Sequence, residues 1–583
     1  MYLFFFEVTK KYLLALSLLA GEAAAQLPPV FENRVSQPVP TITRYLSPVR
    51  IVWQSGSVKN ASRLLGEGNG QADLANRNMS VWKNEKGEQA SVLLDFGKEL
   101  HGGLQIVSGM SPSGKPVRVR IRFGESAAEA MSSIGPKQTA TNDHAIRDEE
   151  VLVPWLGKLE IGNTGFRFVR VDLVEPDAEW QVTEIRAAFI FRDLAYQGSF
   201  RCSDELLNRI WMTGAYTVHL NMQDYLWDGI KRDRLVWVGD MHPETSAISA
   251  VFGHNEVVPK SLDLVRDITP LPQWMNGIST YSMWWIIIHR DWYYHNGDLA
   301  YLRQQKDYLV KLLAHLRTKI GPDHKEKLDG HRFLDWPSSE NQKGVDAGLQ
   351  AMLIWSLRAG ADLCRILGET EAMKQSLEAV ADLATYVPDP NGSKQAAALM
   401  GLTGLLSPEK ANTLLSEGGA KGYSTFYGYY MLQAKAKAGD YDGALRDIRT
   451  FWGAMLNLGA TTFWEDFNLD WLPGASRIDE LPAAGQKDIH GDYGAYCYVG
   501  FRHSLSHGWA AGPTPWLTEH VLGIQVLEPG CRKVKIEPHL GDLTFAEGTF
   551  PTPYGLIRVR HTRGADGKIR SEIKAPKEVK VVK

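Results

Sequence analysis

The chain has 583 residues, 44% hydrophobic and 22% charged. That composition excludes a mainly disordered chain and has room for roughly four domains. Its 64 basic and 67 acidic residues leave a net charge of −3, which argues against a chain built to hold nucleic acid or an anionic membrane surface by charge.

At the start, Lys10 and Lys11 precede an apolar run from Tyr12 to Ala20, and Ala23-Ala24-Ala25 follows. A basic patch, a short apolar core and a small-residue site form the pattern of a secretory signal. The expectation is a signal peptide over 1–25, cut near Ala25, and a mature protein in a bacterial periplasm or outside the cell. The uninterrupted apolar run is too short to span a bilayer, and no integral membrane segment is expected once the signal is removed. Residues 26–50 are Pro-rich and read as a linker or arm.

From 51 to 197 the texture is that of half-buried strands. Val117-Arg118-Val119-Arg120-Ile121-Arg122-Phe123 and Phe166-Arg167-Phe168-Val169-Arg170-Val171 alternate with period two, which predicts an N-terminal β-sandwich. The texture changes near Phe200. Ser203 is a candidate helix cap, Asp204 and Glu205 suit a helix N-terminus, and Leu206, Leu207, Ile210 and Trp211 form an apolar stripe. Helical patterns dominate over 198–525, with clear examples at 299–320, 347–367, 370–386 and 441–456. Roughly a dozen helices in one block predict a toroid of paired helices. Without fixed-period self-similarity a solenoid is disfavoured. Residues 526–583 return to β patterning, as in Val534-Lys535-Ile536 and Leu556-Ile557-Arg558-Val559-Arg560, and predict a small C-terminal β-sandwich.

Cys202, Cys364, Cys497 and Cys531 contain no CxxC pair, so free thiols are expected. HExxH, a Walker lysine loop and GxSxG are absent, and the 16 histidines form no metal-spaced set; neither a metal nor another cofactor is expected. Two segments stand out. Asp228-Gly229-Ile230-Lys231-Arg232-Asp233-Arg234 leads through Trp237 and Gly239 to Asp240 and Glu244, packing carboxylates, cations and an aromatic together. Glu244 shares a face with Asp240 if the stretch is helical. The second, Gly459-Ala460-Thr461-Thr462-Phe463-Trp464-Glu465-Asp466, sets an acidic pair among aromatics, where desolvation raises a carboxyl toward proton-transfer range. Trp336, in the loop beginning Leu334-Asp335-Trp336, is the better sugar-stacking candidate among many tryptophans. Two acidic segments in an aromatic-rich chain carrying an export signal point to glycoside hydrolysis, which needs a proton donor and a base or nucleophile.

These segments resemble the glycoside hydrolase family 78 bacterial α-L-rhamnosidases. The resemblance covers most of the chain after about residue 90: Gly198 to Trp211 is similar to the start of the family's catalytic domain, Lys231-Arg232-Asp233-Arg234 and Trp237-Val238-Gly239-Asp240 to its acidic signature, Gly459 to Glu465 to the segment of its general base, Ser504-Leu505-Ser506-His507 to a pocket segment, and Pro538 to Gly555 to its C-terminal domain. It implies an (α/α)6 barrel flanked by two β-sandwiches and an inverting, cofactor-free hydrolase releasing rhamnose or a related deoxy sugar from a carbohydrate substrate. Glu465 would be the general base, with Asp228, Arg232, Trp237, Asp335, Trp336, Trp464 and His507 as sugar binders. One departure stands against this. Where the family has Arg-Asp-Glu-Arg with an acidic Glu, this chain has Arg234, which cannot donate a proton. Glu244, Asp233 and Asp240 are then the candidates for the general acid. Two alternatives remain at this stage: another (α/α)6 glycosidase or a lyase acting on acidic sugars, and a carbohydrate-binding relative with an altered site.

Overall fold

The computed structural model describes residues 40–74, 78–85, 87–135 and 140–583; the expected signal peptide and most of the expected arm lie outside them. The last part of that arm is not irregular. It forms β1 (Thr41–Leu46) and the start of β2 (Arg50–Ser55), and these strands add to a sheet with β3 (Ser57–Lys59), β4 (Ser80–Lys83), β5 (Ser91–Ser108), β6 (Val117–Gly124), β7 (Asp148–Val153), β8 (Gly157–Leu173) and β9 (Glu179–Arg192). The path is β3-β4-β9-β5-β8-β6-β7, with β1 on β9 and β2 on β5, and every pairing is antiparallel. Alternation holds only in the first part of β6, where Val117, Val119 and Ile121 are buried and Arg118 is exposed; Arg122, expected on the exposed face, is buried and paired with Asp172. The long β5 changes partner along its length. Its first half pairs with β2 and its second, from Gly102, with β9, across register shifts between Asp95 and Leu104. Gly102 has φ +140°, and a Cβ there would lie 2.0 Å from the Ala188 carbonyl oxygen, so only glycine fits this close approach. Trp82 meets Trp180 edge-on at 5.3 Å, and Phe96 and Phe123 both pack edge-on against Phe166. After β6 comes the short helix α1 (Ala127–Met131).

Strand β10 (Ser199–Cys202) leads into the helical block: α2 (Glu205–Asn221), α3 (Met241–Val251), α4 (Val257–Ile268), α5 (Ser279–Asn296), α6 (Leu299–Arg317), α7 (Gln342–Leu367), α8 (Thr370–Leu383), α9 (Lys394–Thr403), α10 (Pro408–Ser416), α11 (Gly428–Lys437), α12 (Tyr441–Asn457) and α13 (Pro513–Trp516). The cap of α2 is Asp204, not Ser203. Its Oδ1 accepts from Leu206 N and Leu207 N, while the Ser203 hydroxyl accepts from Thr544 N. Helix α3 packs on α5, α5 on α7, α7 on α9, α9 on α11, α11 on α13, and α13 on α3, so these contacts run in a closed cycle. Partner helices α4, α6, α8, α10 and α12 follow α3, α5, α7, α9 and α11 in sequence. Side-chain bonds tie α2 to α13 and the turn that follows it, from Thr514 Oγ1 to the Trp211 carbonyl and from Trp211 Nε1 to Thr518 Oγ1. The apolar stretch Trp284 to Ile288 in α5 is buried throughout. Among the described residues, no helix is long and apolar enough to cross a membrane.

The C-terminal strands β11 (Ile524–Glu528), β12 (Lys533–Ile536), β13 (Phe545–Thr552), β14 (Gly555–Arg563), β15 (Ile569–Lys574) and β16 (Lys580–Val582) form two sheets, β10-β13-β14-β15 and β11-β12-β16. Ser199–Cys202, expected to open the helical block, is thus a strand of the C-terminal sheet. Phe200 and Cys202 alternate inward while Ser199 and Arg201 face out. All four cysteines are free, three of them buried.

A pH effect follows from the α5–α6 packing. His289 is buried, with Nδ1 donating to the Trp285 carbonyl at 2.7 Å and Nε2 accepting from the Tyr301 hydroxyl at 3.2 Å. Burial pushes it from 6.5 down to about 3. Below pH 6.5 the unfolded chain takes up a proton that the folded chain refuses, so this stability is fully present above 6.5 and lost as pH falls toward 3. Between pH 6.5 and 4.5 the parent is expected to lose about 2–3 kcal/mol more than His289→Gln, measured by denaturant unfolding at both pH values. An equal loss contradicts the assignment.

Candidate active site

Loops at the N-terminal ends of the inner helices converge on a cavity of about 210 Å³. Asp240 immediately precedes α3 and Tyr281 lies in the first turn of α5. The lining includes Asp228, Arg232, Asp233, Trp237, Asp240 and Tyr281 from this side, His331, Phe333 and Trp336 from the loop after α6, and Glu465, Cys497, Tyr498, Arg502, His507 and Trp509 from the loops after α12.

Glu465 is buried and held at every polar atom. Its amide donates to the Ser504 carbonyl at 3.0 Å, and its carbonyl accepts from Thr425 Oγ1 and Trp509 Nε1. The carboxylate accepts from Arg232 Nη2 at 2.5 Å on Oε1 and from the Ser504 amide at 3.2 Å on Oε2. His507 Nδ1 stands 3.7 Å from Oε1, while its Nε2 lies 3.0 Å from Asp240 Oδ2. Asp240 also accepts from the Tyr281 hydroxyl at 2.9 Å. Burial raises the Asp240 carboxyl, and His507 and Tyr281 oppose that rise only in part. Asp228 stands well above its ordinary value through burial first and the charges of Asp240 and Asp233 next. It closes the 228–235 loop by accepting from Leu235 N at 2.9 Å. Burial alone would lower the Arg232 guanidinium, but Glu465 and Asp233 outweigh it and hold the group above its ordinary value.

The backbone at Asp233-Arg234 decides which of the two side chains reaches the cavity. Asp233 and Arg234 both adopt left-handed backbone, at φ +53° and +55°. For residues with a Cβ this costs roughly 1–2 kcal/mol each, a strain that concentrates at functional sites. The turn sends the two side chains apart. Arg234 bonds the Asn163 and His144 carbonyls at 2.9 Å each and does not line the cavity. Asp233 does line it, 3.8 Å from Arg232 Nε and 3.3 Å from His144 Nδ1. Arg232 therefore contacts both the Asp233 and Glu465 carboxyls.

Three expected site residues are placed elsewhere. Glu244 has no exposed surface, takes a 3.3 Å bond from Asn221 Nδ2 and packs under Gly508, apart from the cavity lining. Helix α3 does put it one turn beyond Asp240, but that turn runs down into the core. Asp335 accepts from Ser338, Ser424 and Gln395 in a buried network that shapes the Trp336 loop. Trp464 is buried against Phe467, outside the cavity lining. Conversely, Tyr498, Cys497, Arg502, His331 and Phe333 escaped sequence reasoning. They sit in loops without a motif, and only the fold brings them to the cavity.

Among the described residues, one cluster has metal-ligand chemistry: Glu125, Glu129 and His490, all buried. The Lys231 ammonium lies within it, 3.0 Å from Glu125 and 3.2 Å from Glu129. The cluster's cation is thus supplied by the chain itself.

Gly239 tests how tightly the Tyr281–Asp240 pair is packed. A Cβ there would lie 2.3–2.7 Å from the Tyr281 ring. Gly239→Ala is expected to displace that ring and cost about 1–3 kcal/mol of stability. An unchanged denaturant midpoint contradicts this.

A cycle of packed helices, an acidic and aromatic cavity at their N-terminal ends, and β-sheets before and after them in sequence define the six-hairpin glycosidase class. Family models agree in order: the glycosyl hydrolase family 78 alpha-rhamnosidase N-terminal domain matches 59–188, the bacterial alpha-L-rhamnosidase 6 hairpin glycosidase domain 195–388, and the bacterial alpha-L-rhamnosidase C-terminal domain 523–582. The chain belongs to glycoside hydrolase family 78. It is 23% identical over 487 residues to an alpha-L-rhamnosidase of Formosa agariphila, covering 75% of this chain and 49% of that protein. A second relative, from an Alteromonas species, is 24% identical over 540 residues, covering 82% and 54%. The chain spans about half the length of these curated relatives. In fold it is similar to the family 78 rhamnosidase of Bacillus sp. GL1, with a TM-score of 0.71 and 24% identity over 90% of this chain and 55% of that one. It is also similar to the Streptomyces avermitilis alpha-L-rhamnosidase solved with L-rhamnose, at TM-score 0.64 and 19% identity over 84% and 48%.

Proposed function

We propose that the chain is an inverting α-L-rhamnosidase whose helix cycle is the catalytic (α/α)6 barrel. The observation that carries this reading is the pair of carboxyls, Glu465 and Asp233, that line one cavity and share the Arg232 guanidinium. Contacts of 2.5 and 3.8 Å to that one guanidinium tie both carboxyls to the same part of the cavity, and inversion requires them ~6.5–9.5 Å apart, with room for a water. In the reaction, Glu465 takes a proton from water as its oxygen bonds the anomeric carbon. The glycosidic C–O bond breaks on the opposite face, and the leaving oxygen takes the proton of Asp233. Asp233 lies at the cavity with 19% of its side chain exposed, where a leaving group can extend outward. Asp240, fixed by Tyr281 and His507, accepts from a sugar hydroxyl, and Trp336, packed against Phe333, offers an apolar face to the ring. Relatives described as alpha-L-rhamnosidases support rhamnose as the sugar released.

The test is a screen of aryl glycosides and rhamnose-containing oligosaccharides, with the released sugar followed by NMR to read its anomeric form. Release of β-L-rhamnose from an α-linked substrate is the expected result. An unsaturated product absorbing in the near ultraviolet would make the chain a lyase, and first release of the α-anomer would rule out inversion.

A further inference from the structure

Asp233 shares a segment with Lys231, and Glu465 is bonded by the 501–505 segment; one buried ion cluster joins these two segments to the N-terminal sheet. The Lys231 ammonium is bonded to Glu129 at 3.2 Å, to the Phe501 carbonyl at 2.9 Å and to the His503 carbonyl at 2.6 Å, and lies 3.0 Å from Glu125. Both glutamates come from the end of the N-terminal sheet: Glu125 directly follows β6 and Glu129 lies in α1. Glu125 in turn accepts from the Leu505 amide at 2.6 Å and the Ser504 hydroxyl at 3.3 Å. Ser504 is the residue whose amide holds Glu465 Oε2. On the other side, Lys231 adjoins Arg232, which holds Glu465 Oε1. Each oxygen of the base is therefore fixed by a group directly tied to this cluster.

The energetics favour a device over packing filler. Two carboxylates and an ammonium, all removed from water, are costly to assemble and contribute little net stability compared with apolar residues. What they supply is a fixed geometry: the ammonium's three donors cannot be met if either loop shifts. We propose that Lys231 is a positioning residue, which, clamped by Glu125 and Glu129, sets the Arg232–Asp233 and Phe501–Leu505 segments so that Glu465 and Asp233 face the cavity in register. The N-terminal sheet is then a working part of the catalytic centre. The assignment to catalysis rests on the glycosidase reading above; the loop-fixing part does not.

The experiment uses the full chain, Glu125→Gln, which keeps the shape and the acceptor for Leu505 N, and Lys231→Met. Amide hydrogen exchange is read first because it needs no substrate. Exchange of the segments 228–234 and 501–507 is expected to accelerate at least tenfold in both variants, with α5 and α7 unchanged. On the best substrate of the screen, kcat is expected to fall about 10²-fold, the scale of a misplacement near 1 Å, with KM within threefold of the parent. Should Lys231→Met fail to fold, Glu125→Gln carries both readouts. Unchanged exchange of the two segments, or a lowered melting temperature with kcat within threefold of the parent, overturns the proposal. Loosened segments in the variants, with a parent inactive on every glycoside, would count against the glycosidase reading while leaving the loop-fixing role in place.

Discussion

Glu465→Gln is expected to lower kcat at least 10²–10⁴-fold on glycosides, the range that general acid–base catalysis contributes. The amide keeps the shape and an acceptor oxygen for Arg232 Nη2 or the Ser504 amide, so the cavity and sugar binding persist. What disappears is the basicity that lets a water attack. Replacing a carboxylate next to Arg232 also leaves a buried cation with one fewer partner, since its remaining carboxylate neighbour is Asp233 at 3.8 Å. A modest stability loss is therefore expected beside the kinetic one. The two are separated by titrating the protein with L-rhamnose and scaling kcat to binding-competent sites. Near-normal turnover per site would remove Glu465 from the mechanism. External azide adds a chemical check. In an inverting site the small anion can replace the activated water, and partial rescue with a glycosyl azide as product is expected.

Asp233→Asn is expected to show the second large effect, and one that depends on the leaving group. A poor leaving oxygen needs its proton, so natural glycosides are expected to slow by about 10²–10⁴-fold. Activated aryl glycosides, whose phenolate leaves without help, are expected to slow far less. Asp240→Asn and Glu244→Gln give the contrast. Asp240 is anchored by Tyr281 and His507, so its loss weakens binding of both substrate types alike. Glu244 lies outside the cavity lining, and its replacement acts on the packing beneath Gly508 rather than on leaving-group dependence. If Asp233→Asn slows both substrate types equally, the acid is not Asp233. Arg234→Ala is the companion variant. Because Arg234 bonds Asn163 and His144 outside the cavity, its removal is expected to leave the leaving-group dependence unchanged while loosening the turn.

Much of the molecule was legible without the fold because the signals are local. Period-two alternation in Val117 to Phe123 depends only on which face of one strand is buried, and the all-buried Trp284 to Ile288 stretch on the apolar side chains within one helix. The switch from strand to helix patterning near Phe200 is of the same kind. The acidic pair Glu465-Asp466 among aromatics is local too, but the role of Glu465 as base rests on the family resemblance of the 459–465 segment and not on its neighbours. The helix cap shows where local signals end. Ser203 and Asp204 are chemically equivalent as caps, and the choice fell to Asp204 because the C-terminal Thr544 amide engages Ser203.

What only the tertiary structure decided are the features that depend on distant partners. β10 looks like the preface to a helix, yet its edge hydrogen bonds are met by β13, more than 340 residues later. Glu244 lies in the helix that begins right after Asp240, and periodicity could not say that its face points into the core. Above all, residue order could not say which side of the chain Arg234 leaves from. Two successive left-handed residues reverse the backbone there, and the N-terminal Asn163 and His144 carbonyls receive the guanidinium. That leaves Asp233 in the cavity. Sequence determined which carboxyls were available; the long-range hydrogen bonds of a buried, charged loop decided which of them meet, because unpaired polar groups cannot be left in the interior and their partners lie hundreds of residues away.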